Sequence, residues 1–343
     1  MRIGITYDLK SSNGRTSADH LSLPDDFEEE FDSPATIEAI ARVLRGLGCE
    51  VSKLGDGREL LQHLLAAPPD FIFNFAEGQG VGRSREARVP AVLEMLGIPY
   101  TGSDPLTLAV TLDKDCARRL VQSAGVAVPA GVELRAEDDA AAALSAPTFN
   151  QWPKIVKPAW EGSSKGIRNK CLVHSLPECL EVIETLRRDY RQPLLIEEFI
   201  RGDELTVGMV GNPPRIIGVM RVVPVEATAD FVYSLEVKRD FRRMVKYECP
   251  PPLPAATLQA VEQAALIAHR ALGCRDVARI DFRLRDGVPY FLEVNPLPGL
   301  NPESSDLVIL AGLAGWSYEQ LIAAILEAAL QRVCSESPLP AAQ

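Results

Sequence analysis

The chain opens on a short apolar run, "RIGITY", and runs of the same kind recur at "CEVSKL" and "DFIFNF". Between them lie "SPATIEAIARVLRGLG", "DGRELLQHLLAA" and "REARVPAVLEMLG", whose apolar positions repeat with helical spacing. The runs predict strands and the spaced segments predict helices. Ser33 stands where a helix N-cap belongs, Pro34 at the first helical position and Gly48 just past the end. Strand and helix thus alternate over residues 1–105, which predicts a small parallel sheet of Rossmann-like α/β type. "IPYTGSDP" closes the unit with turn residues.

A second unit is expected over residues 106–204. "LTLAVTLDKDCARRLVQSAG" reads as one helix ended by Gly125, and "KIVKP" and "IRNKCLV" as short strands about a glycine–serine loop. "LPECLEVIETLRRDY" reads as a helix and "PLLIEEFI" as a strand. A third unit, residues 205–334, collects strands, the helix "ATLQAVEQAALIAHRALG", a hairpin and two C-terminal helices, giving this part α+β character. Residues 335–343 read as a flexible tail.

The hairpin "VARIDFRLRDGVPYFLEVNP" turns at Asp286-Gly287, a strong two-residue turn signal. Ile280, Phe282 and Leu284 share one face of its first strand, and Arg279, Asp281 and Arg283 the other. On the second strand Tyr290, Leu292 and Val294 alternate with Phe291, Glu293 and Asn295. A strict two-residue loop would mix these faces. One extra residue sets Asp281 opposite Glu293 and Arg279 opposite Asn295, and gathers the apolar side chains. Pro289 points to an irregularity near the turn. Opposed carboxylates destabilise a sheet, and a hard cation such as Mg²⁺ would offset the repulsion. A solvated face, its acids balanced by Arg279 and Arg283, is the alternative.

In "KIVKPAWEGSSKGI", Lys157 ends an apolar strand and the loop Glu161–Gly166 follows. Small residues let backbone N–H groups approach an anion, and Ser163 and Ser164 add hydroxyls. The order is not that of a Walker A loop, so a plain surface turn stays open. Lys114 in "LDKD" and Lys238 in "LEVKRD" would each, alone, pass for solvated lysines. "LLIEEFIRGDELTV" ends a strand in acids, Glu197, Glu198 and Glu204, which suit ribose hydroxyls or simply water.

Composition narrows the classes. A net charge of −11 argues against a general nucleic-acid binder. No segment approaches the ~18 apolar residues of a membrane helix, and "MRIGITYDLK" lacks a leader pattern, so a cytoplasmic protein without a membrane role is expected. The seven cysteines form no C-x-x-C and read as reduced thiols. The four histidines show no metal spacing.

Together, "YTGSD", "LDK", "IVKPAWEGSSKGI", "LIEEFIRGDELTV", "LEVK", "LGCRDVARIDF" and "LEVNPLPGLNPESSDL" resemble the ATP-grasp superfamily and, within it, the D-alanine–D-alanine ligases, in the family's order. The resemblance implies an ATP-grasp fold behind an N-terminal preATP-grasp domain. It implies ATP between the central and C-terminal units, with Lys114 and Lys157 near its phosphates and base. Glu197, Glu198 and the backbone at Phe199 and Ile200 would take the adenine edge, and Glu204 the ribose. Glu161, Ser163 and Ser164 would belong to the closing phosphate loop, and Lys238 would approach the γ-phosphate. Asp281, Glu293 and Asn295 would hold two Mg²⁺ ions, or Mn²⁺. Arg279 and the Gly299 N–H would stabilise an oxyanion, and Asn301, Ser304 and Ser305 would meet the amine substrate's carboxylate. A homodimer through the N-terminal unit is implied.

Departures fall on the first-substrate side. The family's Gly-Gly turn and the glutamate after it are absent, leaving Asp8 or Glu28–Glu30 as substitutes. "NFAEGQGVGRSRE" replaces His-Gly-x-x-Gly-Glu-Asp-Gly, with Glu77 and Arg83 as candidate recognition groups. Leu235 stands where a tyrosine is common, and "NPLPGLN" replaces Asn-Thr-Ser-Pro-Gly-x-Thr. The expectation is an ATP-dependent carboxylate–amine ligase acting through an acyl phosphate on small amino-acid-like substrates. D-alanine is one option and other L- or non-standard amino acids are the alternative. A non-catalytic ATP-binding regulator is the reading from another class, and Arg279 with the acid set weighs against it. A bicarbonate-using carboxylase of the same superfamily is a third.

Overall fold

The structure, a computed structural model, describes residues 1–11, 23–145 and 151–336. Most of the expected tail lies outside these residues. Strands β1 (Arg2–Tyr7), β2 (Glu50–Lys53) and β3 (Phe71–Phe75) form a parallel sheet in the order β2-β1-β3. Helices α1 (Pro34–Gly46), α2 (Gly57–Ala66) and α3 (Arg88–Leu96) connect and flank it. Helix α1 starts as its sequence dictates: the Ser33 Oγ accepts the Thr36 N–H at 3.2 Å. Its apolar face, Ile37, Ile40 and Leu44, packs against Ile3, Ile5 and Phe73.

The segment read as one helix is two, α4 (Pro105–Leu112) and α5 (Lys114–Ser123). Asp113 leaves the helical region at φ −83°, ψ 99°, and its carboxylate caps the Cys116 N–H at 2.9 Å. A capping aspartate competes locally with helix continuation and wins here over the apolar spacing. The break has a positional consequence: the Lys114 N–H bonds the Ala159 carbonyl at 3.0 Å, beside the loop Glu161–Gly166.

The second sheet is antiparallel, β4-β7-β5-β6, built from β4 (Gly131–Leu134), β5 (Lys154–Pro158), β6 (Leu172–Val173) and β7 (Leu194–Glu198). It is backed by α6 (Ala140–Leu144) and α7 (Leu176–Tyr190). The strand predicted over "IRNKCLV" is a 3₁₀ turn, Asn169–Cys171, with only two ladder residues. The Arg168 N–H donates to the Cys171 Sγ at 3.3 Å, and the Cys171 N–H to the Arg168 carbonyl at 2.8 Å. These local bonds replace sheet pairing.

The third sheet runs β10-β9-β8-β11-β12, antiparallel throughout: β8 (Asp203–Val210), β9 (Arg215–Pro224), β10 (Val245–Glu248), β11 (Val277–Arg285) and β12 (Val288–Asn295). Short helices α8 (Leu235–Arg239) and α9 (Phe241–Met244) precede β10, and α10 (Ala255–Leu272) covers the sheet. The last helices, α11 (Asp306–Leu313) and α12 (Tyr318–Glu336), return to the N-terminal sheet. Leu307, Leu321 and Ile325 share a core with Ile3 and Phe73. No single helix among the described residues is long and apolar enough to cross a membrane.

The β11–β12 hairpin carries the predicted pairs, Asp281 with Glu293 and Arg279 with Asn295, but the extra residue is elsewhere. Asp286 and Gly287 make a tight turn with φ 53° and 77°. Strict pairing follows as far as Phe282 with Phe291, and the register then slips at Leu292. No irregularity sits at Pro289, which pairs with Leu284. The cause is packing. Phe291, expected on the acid face, is buried edge-on against Phe282 at 6.1 Å, and its N–H bonds the Ala127 carbonyl at 2.9 Å. The bulge then swings Leu292 out of the core and sets Glu293 beside Asp281.

Candidate active site

A cleft of about 730 Å³ opens between the four-stranded and five-stranded sheets. Strands β5 and β7 bring Lys157 and Glu197 to its floor, where they pair at 2.6 Å. Past the end of β7 the backbone turns through Phe199 and Ile200. The Glu198 N–H is used by the Ala130 carbonyl and the Phe199 N–H by the Pro153 carbonyl at 3.1 Å. Of the two backbone N–H groups at the expected adenine edge, the Ile200 N–H is the one without a partner among the described residues. The Phe199 ring carries the Arg283 guanidinium at 4.6 Å, and Arg283 pairs with Glu204 at 2.6 Å. Burial raises the Glu204 carboxyl, with Arg283 opposing. Glu198 lines the cleft but is paired with Arg285.

The loop after β5 holds two successive non-glycine residues in the left-handed region, Ser163 at φ 50° and Ser164 at φ 58°. Such a strained bend is kept only where the surroundings enforce it; here it closes a tight turn, with the Lys165 N–H on the Gly162 carbonyl at 2.8 Å and the Gly166 N–H on Asp26 at 2.9 Å. The Ser164 hydroxyl donates to the Tyr233 carbonyl at 3.2 Å and lines the cleft. Gly166, at φ 76°, has no room for a side chain, since a Cβ would lie 2.4 Å from Pro158. Glu161 does not border this cleft. It is buried against Lys165 at 2.7 Å and Gln192 at 2.6 Å, so its expected cofactor contact is replaced by a role in fixing the loop.

At the end of the cleft the hairpin presents its acids. Asp281 accepts from Thr206 at 2.9 Å and from Arg279 at 2.9 Å, and the Asn295 Nδ2 lies 3.4 Å away. Glu293 accepts from Lys114 at 2.7 Å, with Arg279 3.7 Å distant. Burial opposes ionisation of Glu293, yet Lys114, Lys238 and Arg279 hold it well below the usual carboxylate range. Asp281 moves the other way, raised by burial and by Glu293 against the pull of Arg279. Arg279 also faces Asp306 at 3.7 Å, and Lys238 faces Asp306 at 3.8 Å. The Tyr233 hydroxyl donates to Asp306 at 2.9 Å.

Beyond Arg279 lie two adjoining cavities. The inner one, about 480 Å³, is lined by Glu30, Glu77, Glu86, Lys114 and Ser163 among others. The outer one, about 900 Å³, reaches Lys238, Ser304 and Ser305. Arg279, Glu77, Ser163 and Gly299 border both. A Cβ at Gly299 would stand 2.8 Å from the Ser305 Oγ, so a larger residue there would have to displace that hydroxyl from its bond to the Asn301 N–H. Asn301 borders the outer cavity, but its side chain is consumed in shaping the turn. Its Oδ1 accepts the N–H groups of Glu303 and Ser304, and its Nδ2 donates to Thr36 at 2.9 Å.

Two substitutes read from the sequence are not in these cavities. Arg83 is solvent-exposed and bonds Asp113 at 2.6 Å. The Asp8 carboxylate accepts the Gly78 N–H at 2.9 Å. Of Glu28–Glu30, Glu29 borders the outer cavity, paired with Arg239 at 2.7 Å, and Glu30 borders both, its carboxylate tied to Arg85 at 2.7 Å and Lys165 at 3.2 Å. Sequence reasoning missed Arg85, Glu86, Lys165 and Asp306. In the string each is a charge among charges. Only the embedding of Arg85-Glu86 at the start of an apolar helix hinted that they would be buried.

A family model described as the D-ala D-ala ligase C-terminus matches residues 120–327. A D-alanine–D-alanine ligase of Aquifex aeolicus is 33% identical over 293 residues, 85% of this chain and 93% of that protein. One of Ralstonia nicotianae is 37% identical over 242 residues, 69% of each chain. The crystal structure of the Bacillus anthracis D-alanine–D-alanine ligase complexed with ATP superposes with a TM-score of 0.72 at 25% identity. It covers 98% of this chain and all of that one.

Proposed function

The chain belongs to the D-alanine–D-alanine ligase family of ATP-grasp proteins, and from that premise we infer an ATP-dependent ligase that joins two small amino acids. The observation that carries the reading is the convergence at Arg279. The cleft ends against Asp281 and Glu293, Arg279 bonds Asp281 at 2.9 Å, and Arg279 lines both adjoining cavities. Residues 1–105, 106–204 and 205–334 are taken as its three units, since each carries its own sheet.

ATP belongs in the cleft. Ile200 offers its free N–H to the adenine edge, Lys157 and Glu197 lie beneath the base, and Glu204 meets the ribose. Ser164 and Lys238 stand on the phosphate side, with Ser163 at the entrance to the cavities. Asp281, Glu293 and Asn295 fit Mg²⁺: they are oxygen donors clustered on one hairpin, and Glu293 is held ionised. The ion would supply charge neutralisation for the transferred phosphoryl group. The donor's carboxylate oxygen takes the γ-phosphoryl group and ADP leaves. The acceptor's amine then attacks the acyl carbon and phosphate departs. Arg279 and the Gly299 N–H are placed to hold the negative oxygen that forms. Lys114 keeps Glu293 oriented. The acceptor's carboxylate fits the outer cavity near Ser304 and Ser305. The strap through Glu30, bonded to the phosphate loop, excludes water that would hydrolyse the acyl phosphate.

The test is ADP release with ATP, Mg²⁺ and a panel of D- and L-amino acids, alone and in pairs. Amino-acid-dependent ADP and a dipeptide product by mass spectrometry are expected. Tight ATP binding without ADP release from any pair would establish a binding protein instead.

A further inference from the structure

We propose that Glu77 and Glu86 form a subsite for a second cationic group on the donor, so that the preferred donor is a diamino acid rather than alanine. The inference rests on the ligase reading above and names the substrate class of the same site.

Four glutamates line the inner cavity: Glu30, Glu77, Glu86 and Glu161. Two of them are already neutralised. Arg85, itself 1% exposed, bonds Glu30 at 2.7 Å and reaches Glu161 at 3.4 Å, and Lys165 bonds Glu161 at 2.7 Å and Glu30 at 3.2 Å. The cations at the mouth are also engaged, Lys114 with Glu293 and Arg279 with Asp281. Glu77 and Glu86 remain. Neither side chain has a hydrogen bond or ion pair from any described residue, and Glu86 is only 7% exposed while bordering the cavity. A carboxylate that faces a confined cavity with no protein cation on it is stabilised by a cation entering that cavity. Burial and the other carboxylates push both acids up, Glu77 strongly and Glu86 to about 7, with Arg85 opposing. This is the response of acids that lack a partner.

Charge and position divide the two roles. Glu77 borders both cavities and so lies nearer the reacting end, while Glu86 borders the inner cavity alone. A donor whose carboxylate sits at Arg279 and Gly299 sets its α-ammonium within reach of Glu77. That ammonium offsets one carboxylate and leaves the second. A side-chain amine carried inward offsets it, with Leu112 and Leu297 as apolar wall for a short methylene stem. Alanine, with no second amine, would leave Glu86 unpaired or force it to hold a proton.

The experiment uses the full-length protein with ATP, Mg²⁺ and D-alanine as acceptor. The donors are alanine, 2,3-diaminopropionate and ornithine, each as D- and L-forms, with ADP release and product mass as readouts. At least one diamino donor is expected to exceed alanine in kcat/KM tenfold or more. E86Q is expected to cut that ratio at least tenfold, about 1.4 kcal/mol of discrimination. ADP release with alanine and no gain from any diamino donor overturns the inference and leaves the ligase standing. A ratio unchanged by E86Q also overturns it. No ADP release from these donors overturns the inference; only silence across every pair of the wider amino-acid panel overturns the ligase reading as well. The wild-type panel decides even where E86Q fails to fold.

Discussion

Replacing Arg85 with methionine isolates the charge that holds the phosphate loop in place. Arg85 is fully buried, gives Glu30 two contacts at 2.7 Å and donates to the Trp160 carbonyl at 2.6 Å. Methionine fills similar volume but donates nothing. Glu30 keeps Lys165 and the Gly162 N–H, so its charge is left half-compensated rather than bare. Breaking a buried ion pair from one side costs about 3–5 kcal/mol. With a urea m-value near the top of the usual range, about 3 kcal/mol/M, the unfolding midpoint falls by roughly 1 M or more. The pH dependence supplies the sign. In the wild type Arg85 and Lys165, against burial, depress the Glu30 carboxyl, so its contribution is present at neutral pH and lost as pH falls through the folded pKa. In R85M burial dominates and raises that carboxyl, so the variant gains stability as pH falls below neutrality. The double variant R85M/E30Q should regain much of the loss at pH 7. Urea melts of the three proteins at pH 5.5 and 7.5 measure it. A midpoint for R85M within about 0.3 M of the wild type at both pH values would refute the claim that this pair carries the loop.

Asp281→Asn is expected to abolish amino-acid-dependent ADP release while leaving the unfolding free energy within about 0.5 kcal/mol of wild type or above it, because it removes one of two opposed acids. Phe291→Ala should destabilise the protein by about 3–5 kcal/mol, since it empties the pocket that anchors the bulge. Gly166→Ala combines a left-handed φ of 76° with a 2.4 Å clash on Pro158, and should cost about 1–3 kcal/mol and raise KM for ATP. His269 is buried and pushed down to about 4, so wild-type stability should fall by up to about 3 kcal/mol as pH drops from 6.5 to 4. His269→Leu should remove that component from the difference between melts at the two pH values.

The sequence by itself determined most of the elements, the hairpin pairing and several of the side chains that line the cleft. These rest on local rules: a serine and a proline start α1, Asp286-Gly287 turns the hairpin, and parity alone sets Asp281 opposite Glu293. Even the errors were local. The Asp113 cap split a helix, and a bulge took up the residue assigned to Pro289. The tertiary structure decided what depends on distance in space. Glu30, Arg85 and Glu161 lie far apart along the chain, yet they meet in one buried cluster. Arg83 and Arg85, two residues apart, end in solvent and in the core. Which glutamate finds a cation and which is left facing a cavity is settled by packing between layers, because a charge's partner is whatever the folded chain brings within a few ångströms. That is why the residues expected at the nucleotide could be picked from strings, while Glu86, which the structure sets beside Glu77 on the inner cavity, could not.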